Sequence, residues 1–493
     1  MDRSSVAYHN SWNTREDVSG GLADGLDGDR GLPASLARHS TEAEPDVVAF
    51  WHRMALAAPA ADAPRPGRIP VPAELHPVLQ LLEVACRGSR HGGISVPSAG
   101  ALYPYEHAVV AEHAGELAVF AVDAARRSVH LQCRIRPAEW PGGLPLPGPG
   151  RTLLLTNVRP WLSMRKYGDR GYLYAHLDAA HLSTHLLCLA QSRFERTRGL
   201  TAREVRPLDQ VLGLPGRCRF VHSALWLDSP TAPSSAPRES WACVDQHGAP
   251  LRQTLPEHPE QQCWQRLPAR PQPGTPVADS GAGSFTAARV AAAGPVAGQL
   301  AVAAPRRRSA KDFTGETVPV GDVRRALRAT GTRLPWDLPV TGTFGITVLA
   351  RRVAGLAAGA YRVYDGTLAP EPVAEHVVDG DELVRICMGQ EHLRHAAAAV
   401  VFHAPRDAIF QLGIDGVDAA LLRAGVLAHL LCLGAADAGL AITTIGGFDA
   451  AGWHRVSALP QRDEALYVAL VGQAGVVAVK LDRLQRAYAH DEA

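Results

Sequence analysis

Charge of one sign, clustered cysteine and long apolar runs are all missing from this sequence. Lys and Arg number 50 against 49 Asp and Glu over 493 residues, a net charge of +1. That balance offers no electrostatic footprint for nucleic acid. The eight cysteines, at 86, 133, 188, 218, 243, 263, 387 and 432, form no Cys-x-x-Cys and no Cys/His cluster. A disulfide framework or a structural metal is therefore not expected, and reduced thiols in a cytoplasm are the plain reading. No run of 18 or more apolar residues occurs, so no membrane span is expected. The first 20 residues lack the apolar core of a secretory signal. Only four methionines stand against heavy use of Ala, Arg, Gly and Pro, which reflects genome composition more than mechanism. What is present suffices for folding: 46% hydrophobic residues supply a core, and this length predicts two to four domains.

An internal repeat organises the chain. "HLLCLA" at 185–190 returns as "HLLCLG" at 429–434, 244 positions later, inside longer stretches with leucines at helical spacing. "LLLTNV" (153–158) pairs with "AVVFHA" (399–404), each an apolar run of strand length. "HAVVAEHAGELAVFAVD" (107–123) and "ITVLARRVAGLAAGAYRVYD" (346–365) both read as strand, Gly-containing turn and strand. "VPAELHPVLQLLEVA" (71–85) and "VPVGDVRRALRATG" (318–331) both read as an amphipathic helix with Pro at its start. The expectation is an α+β fold made of two copies of one unit, an internal pseudo-dimer in which a single chain supplies both partners of a twofold contact. The expected divisions are an N-terminal arm (1–69), a first half (70–228), a Pro/Ser/Gly-rich linker (229–284) and a second half (285–493).

The copies differ in a complementary way. The first has "GISVPSAGALYPYE" (93–106) where the second has "PWDLPVTGTFG" (335–345). The first has "MRKYGDRGY" (164–172) where the second has "IFQLGIDGV" (409–417); both glycines remain, but Lys166 falls on Gln411 and Tyr167 on Leu412. Conversely, only the second copy has "PRRRSAKDF" (305–313) at its start and "GLAITTIGGFD" (439–449) after its long helix. Each special element occurs once, so chemistry at the seam between the copies is expected.

Taken singly, these strings have bland readings. "RRRSAKDF" offers forked cations, a hydroxyl and a lysine suited to a phosphate, or a basic segment bathed in solvent. Paired glycines in "TTIGGF" let a backbone approach a flat ligand, or simply turn the chain into a strand. "PSAGALYP" suits the same close approach, or a tight surface turn. A Lys-Tyr pair can be a solvated helix start. His181 and His185 stand four apart on a helix, as metal ligands can. The second copy retains only His429 and supplies no third ligand, so core or interface histidines are expected, and no metal.

Together, these strings carry a resemblance. Arg-Arg-Ser-x-Lys-x-Phe near a start and Ile-Gly-Gly-Phe after a long helix resemble the FMN-binding nitroreductase fold. "PSAGALYPYE" and "RKYGDRGYLY" are similar to its SagB-type, McbC-like group, the flavin dehydrogenases that oxidise azolines in ribosomal peptides. The resemblance covers both copies and implies a flavin between them. It implies that Arg307, Arg308, Ser309 and Lys311 hold the phosphate and ribityl chain. It places Thr444, Gly446 and Gly447 against the isoalloxazine edge, and has Pro97, Ser98, Ala99 and Ala101 lent by the other half. Lys166 and Tyr167 correspond to the pair linked to catalysis. Because one site keeps both contributions and the other has lost both, one FMN per chain is expected. Lys480 and Arg483 lie where such enzymes place another phosphate contact, though at a different spacing.

The reaction so implied is oxidation of a thiazoline or oxazoline to a thiazole or oxazole, with dioxygen as acceptor. The substrate would be a precursor peptide delivered by a cyclodehydratase, with which the enzyme forms a complex. Either Lys166 or Tyr167 could take the proton, and the sequence leaves both open. Two other readings stand beside it: a generic NAD(P)H-dependent FMN reductase of nitro, quinone or alkene substrates, and a flavin-free scaffold that binds a peptide.

Overall fold

The computed structural model describes residues 68–69, 71–86, 95–124, 127–230, 241–244, 259–267, 300–304, 307, 309–336, 338, 344–410 and 412–475. Residues 1–67 of the expected arm (1–69), Arg308, Gln411, Lys480 and Arg483 lie outside them, as do the side chains of Ala101 and Lys166.

The first half builds an antiparallel sheet from β1 (Tyr105–His113), β2 (Glu116–Asp123), β3 (Ser128–Ile135), β4 (Arg151–Val158), β5 (Phe194–Thr201) and β6 (Phe220–Pro230). Its order is β3-β2-β1-β4-β6-β5. Ala114 and Gly115 both take positive φ, 53° and 80°, the two-residue turn that matches the twist of a hairpin. The second half builds β7 (Gly345–Ala350), β8 (Gly359–Tyr364), β9 (Ala398–Pro405), β10 (Ala441–Ile445) and β11 (Asp463–Gly472), in the order β8-β7-β9-β11-β10. Strand for strand, this repeats the β2-β1-β4-β6-β5 of the first sheet. Even the irregularity repeats. The register of β4 against β6 shifts between Thr156 and Asn157, and that of β9 against β11 between Phe402 and His403. A bulge re-aims the side chains that follow it, so its recurrence fixes the correspondence: Ser223, opposite Thr156, matches Tyr467, opposite Phe402.

The helices that matter are α1 (His76–Ala85), α2 (Trp161–Tyr167), α3 (Arg170–Ala190), α4 (Pro259–Arg266), α5 (Val320–Arg328) and α6 (Ile414–Ala438). Every residue from Gly171 to Ala190 is buried, because α3 packs on the first sheet and on α6 at once. Helix α6 packs likewise on the second sheet. The two helices come close where a Cβ on Gly425 would lie 2.5 Å from Ala180 Cβ, so only glycine fits there. One core cluster runs through both halves.

One segment is more apolar, and another more structured, than the sequence pattern suggests. An 18-residue window of α6 reaches a mean hydropathy of 1.8, apolar and long enough to cross a membrane, although the sequence shows no unbroken apolar run. The reason is its place: 78% of that window is buried inside the protein, between a sheet and α3. The segment read as linker also contributes structure to the first half. Ala242–Val244 adds a strand beside β3, and α4 packs against α2. Glu260 of α4 is buried and receives two hydrogen bonds of 2.7 Å from Arg159.

Candidate functional site at the seam

The second half contributes one wall. Its segment 307–310 runs along the edge of β10: Ser309 bridges Ile442, and the Ala310 N–H donates to the Ile442 carbonyl at 2.7 Å. Arg307 is buried, and its Nη1 donates to Ser309 Oγ at 3.0 Å. Lys311 follows, half-buried. Downstream along the same strand come Thr444 and then Gly446 and Gly447.

The first half contributes the opposite wall. Asp178 on α3 receives the Ser98 hydroxyl at 2.6 Å and the Ala99 N–H at 3.1 Å, while Ser98 Oγ accepts the Tyr103 N–H at 2.9 Å. The carboxylate thus ties down the turn Pro97–Ala101, in which Gly100 takes φ 62°. The Ser98 hydroxyl gives its hydrogen to Asp178 and one lone pair to the Tyr103 N–H, so toward a ligand it could only accept. Burial pushes the Asp178 carboxyl up to about 7, against the pull of the Ser98 and Ala99 bonds.

The two walls touch at both ends. Arg307 Nε donates to the carbonyl of Ser95, three residues before Ser98. At the other end Arg170 Nη1 donates to the Gly446 carbonyl at 3.3 Å, and Nη2 to the Phe448 carbonyl at 3.4 Å. The Tyr174 ring lies over Gly446, where an added Cβ would come within 2.3 Å of Cε1. In this structure the flat group that Gly446 admits is therefore a tyrosine of the other half. Tyr167 meets Tyr174 edge-on, ring centroids 5.0 Å apart, and Lys166 precedes it in the last turn of α2. Tyr172 reaches α6 through a 3.0 Å bond to Asp418. Of the expected residues, Arg307 and Gly446 meet the first half directly, and Tyr167 reaches the seam through Tyr174.

The corresponding place on the other side is lined differently. Thr444 lies opposite Ala469, and Gly199 opposite Leu225; with Ser223 matching Tyr467, Gly199 is the counterpart of Thr444. Gly199 donates its N–H to the Pro335 carbonyl at 2.8 Å, and an added Cβ would strike the Trp336 ring at 2.4 Å. Trp336 comes from "PWDLP", the second copy's replacement for the Ser-Ala-Gly turn. It is buried, so the second copy's different string packs an indole against Gly199, the counterpart of Thr444.

Beneath the seam lie the histidines. His185 Nδ1 is 3.0 Å from His429 Nε2, His429 Nδ1 is 3.1 Å from His181 Nδ1, and His181 Nε2 is 3.1 Å from Tyr467 Oη. Burial and the nearby Arg307 cation pull His181 and His185 down to about 3 and His429 well below its ordinary value. These rings are neutral at physiological pH. His181 and His185 spend their ring nitrogens within the interface.

The family model for the nitroreductases matches residues 304–473. A protein of Anabaena variabilis described as a nitroreductase superposes on 96% of this chain and 100% of its own, with a TM-score of 0.63 and 16% identity. The fold is that of the nitroreductases. Among other solved structures, the Escherichia coli microcin synthetase McbBCD complex with truncated pro-MccB17 matches 35% of this chain and 70% of its own, at 19% identity and a TM-score of 0.29. The NADPH:FMN oxidoreductase of Vibrio harveyi complexed with NAD+ matches 37% of this chain and 73% of its own, at 15% identity and a TM-score of 0.26. No curated protein matches.

Asp178, Tyr174, Tyr467 and Trp336 were not singled out in the sequence. Asp178 had a signal, a lone acid within an apolar helix; Tyr467 sits in an ordinary strand pattern and had none.

Proposed function

We propose that this chain is an FMN-dependent azoline dehydrogenase, a pseudo-dimer with one flavin per chain. The observation that carries the flavin count is the pairing of a two-walled seam on one side with Trp336 on the other. The donor set suits the cofactor: a buried guanidinium, the Ser309 hydroxyl and Lys311 in one short segment fit a phosphate ester, and the Gly-Gly turn fits a flat ring edge. Arg307, Ser309 and Lys311 would hold the phosphate and ribityl chain, with Arg308 beside them in sequence. Thr444, Gly446 and Gly447 would border the ring, and Pro97, Ser98, Ala99 and Ala101 would face it from the other half. The bound flavin would supply the acceptor for a hydride from one azoline carbon.

The chain's own part is to hold the ring and take the proton. Lys166 Nζ or Tyr167 Oη accepts it from the neighbouring carbon, and the azole results from loss of that proton and one hydride. Arg170 and Tyr174 keep α2 in register with the Gly446 loop, which fixes where Tyr167 stands. The resemblance in the Ser-Ala-Gly and Lys-Tyr strings supports a cyclised peptide as substrate, a cyclodehydratase as partner and dioxygen as acceptor. The test has two parts. Purified protein should carry one flavin per chain, with absorbance near 450 nm in the family manner. Lys166→Ala should stay yellow and lose azole formation on a cyclised peptide. Two flavins per chain, or rapid flavin reduction by NAD(P)H with no oxidation of the peptide, would favour a generic reductase instead; colourless protein would favour the scaffold.

A further inference from the structure

A second segment of the C-terminal half leans on the Gly-Gly turn. The helix Gly380–Ile386 is followed by two left-handed residues in succession, Met388 at φ 56° and Gly389 at φ 77°. Glycine adopts that conformation freely; methionine does so rarely and at a cost. The reversal brings Gln390 back over the helix end. Its Nε2 donates to the Cys387 carbonyl at 2.9 Å and to the Gly447 carbonyl at 3.2 Å. A carbonyl only accepts, so the amide can face these two partners in one orientation alone. Beside it, Met388 Sδ accepts from Arg170 Nη1 at 3.6 Å, and the Asp449 N–H donates to the Ile386 carbonyl at 2.8 Å.

Three successive carbonyls are therefore held from two sides. Arg170 of the first half takes those of Gly446 and Phe448, and Gln390 of the second half takes that of Gly447. In a planar trans peptide the following N–H points opposite to the carbonyl. The Gly447 N–H thus points away from Arg170, and the Phe448 N–H away from Gln390. Glycine would otherwise let these planes turn over. We propose that Gln390 is a positioning residue of the site: with Arg170 it locks the polarity of the Gly-Gly turn, so that the turn meets a heterocycle with N–H donors and favours a ring atom that accepts. The inference rests on the flavin assignment above. Reduction turns acceptor nitrogens of a flavin into N–H donors, so the locked turn holds the oxidised form more tightly than the reduced one. The counterpart side is built otherwise. With Gly199 matching Thr444, Thr201 matches Gly446, and its N–H is spent at 2.7 Å on Glu204, capping the short helix Ala202–Val205.

The lock is read without ligand. Gly447–Phe448 is the only Gly-Phe bond in the chain. Full-length protein with isotopic labels at the glycine carbonyl carbon and the phenylalanine nitrogen therefore gives a single correlation for this peptide. In Gln390→Leu the carbonyl loses its donor, and its signal should move upfield. The selectivity is read by anaerobic titration with oxidised and reduced FMN. The affinity ratio in favour of the oxidised form should fall about fivefold in the variant, the worth of one neutral hydrogen bond. That raises the midpoint potential of a two-electron couple by about 20 mV. Gln390→Met, unbranched and equally without a donor, should act in the same way should Gln390→Leu not fold. An unmoved carbonyl signal, or an unchanged ratio in variants that still bind FMN, would overturn the inference. A wild-type chain that binds neither form would overturn the flavin assignment and the selectivity with it, while the carbonyl signal would still report the lock.

Discussion

Replacing Gly446 by alanine tests the seam at its tightest point. Gly446 is not among the positive-φ glycines, so its backbone accepts alanine and the effect is steric. Tyr174 Cε1 stands 2.3 Å from the new Cβ, and ordinary contact begins near 3.4 Å, so the ring must retreat by about 1.1 Å. It has nowhere free to go. Tyr174 is 7% exposed and is met edge-on by Tyr167 at 5.0 Å. Overpacking of this kind costs about 1–3 kcal/mol. The displaced ring pushes the end of α2, and a shift of about 1 Å in a reacting group costs roughly 100-fold in rate. Gly446→Ala should therefore lower the melting temperature and reduce azole formation about 100-fold. Tyr174→Leu should couple to it, with an interaction energy of about 1 kcal/mol or more in a double-mutant cycle. Activity within threefold of wild type at unchanged melting temperature, or strict additivity in the cycle, would refute the reasoning.

Trp336→Ala should destabilise the protein by about 3–5 kcal/mol, the usual cost of emptying a buried indole site. Flavin content should stay at one per chain because Gly199 and Ser223 cannot replace Thr444 and Tyr467; a second equivalent would contradict this. Asp178→Asn should change how stability depends on pH. The folded chain holds the Asp178 proton up to about 7, whereas an unfolded aspartate releases it near 4. The stability from this group is therefore complete below pH about 4 and is lost as pH rises through about 7. Wild-type stability relative to the variant, followed by thermal melts, should decline across that window; a constant difference would contradict the assignment.

The repeat was legible because it is carried by local patterns: helical leucines in α3 and α6, apolar runs in β4 and β9, and the strand–turn–strand units between. The seam was legible as complementarity, since Arg307 and Ser98 belong to strings that each occur once. Less of the site's support could be read. Trp336 acts through an edge-strand contact with Gly199, more than 130 residues away, and no local pattern encodes such a pairing. Helix α4 was hidden by the Pro/Ser/Gly composition around it. Yet Glu260, Cys263, Trp264 and Leu267 stand at helical spacing, and the buried acid among them is paired with Arg159, 101 residues away in the chain. The anchoring of Ser98 by Asp178 joins segments 80 residues apart, and no local pattern encodes it.

The contact between His185 and His429 joins two residues separated by the repeat length itself, 244 positions. In a dimer of identical subunits such a pair would be one residue facing its own image across the axis. Both rings would then have to present the same atom in the same protonation state, and a neutral donor–acceptor bond between them would be impossible without breaking the symmetry. Joining the two halves in one polypeptide lifts that restriction: Nδ1 of one ring can answer Nε2 of the other, permanently. A fused pair can thus own an arrow through its centre, where an assembly of equals could only have a coin toss.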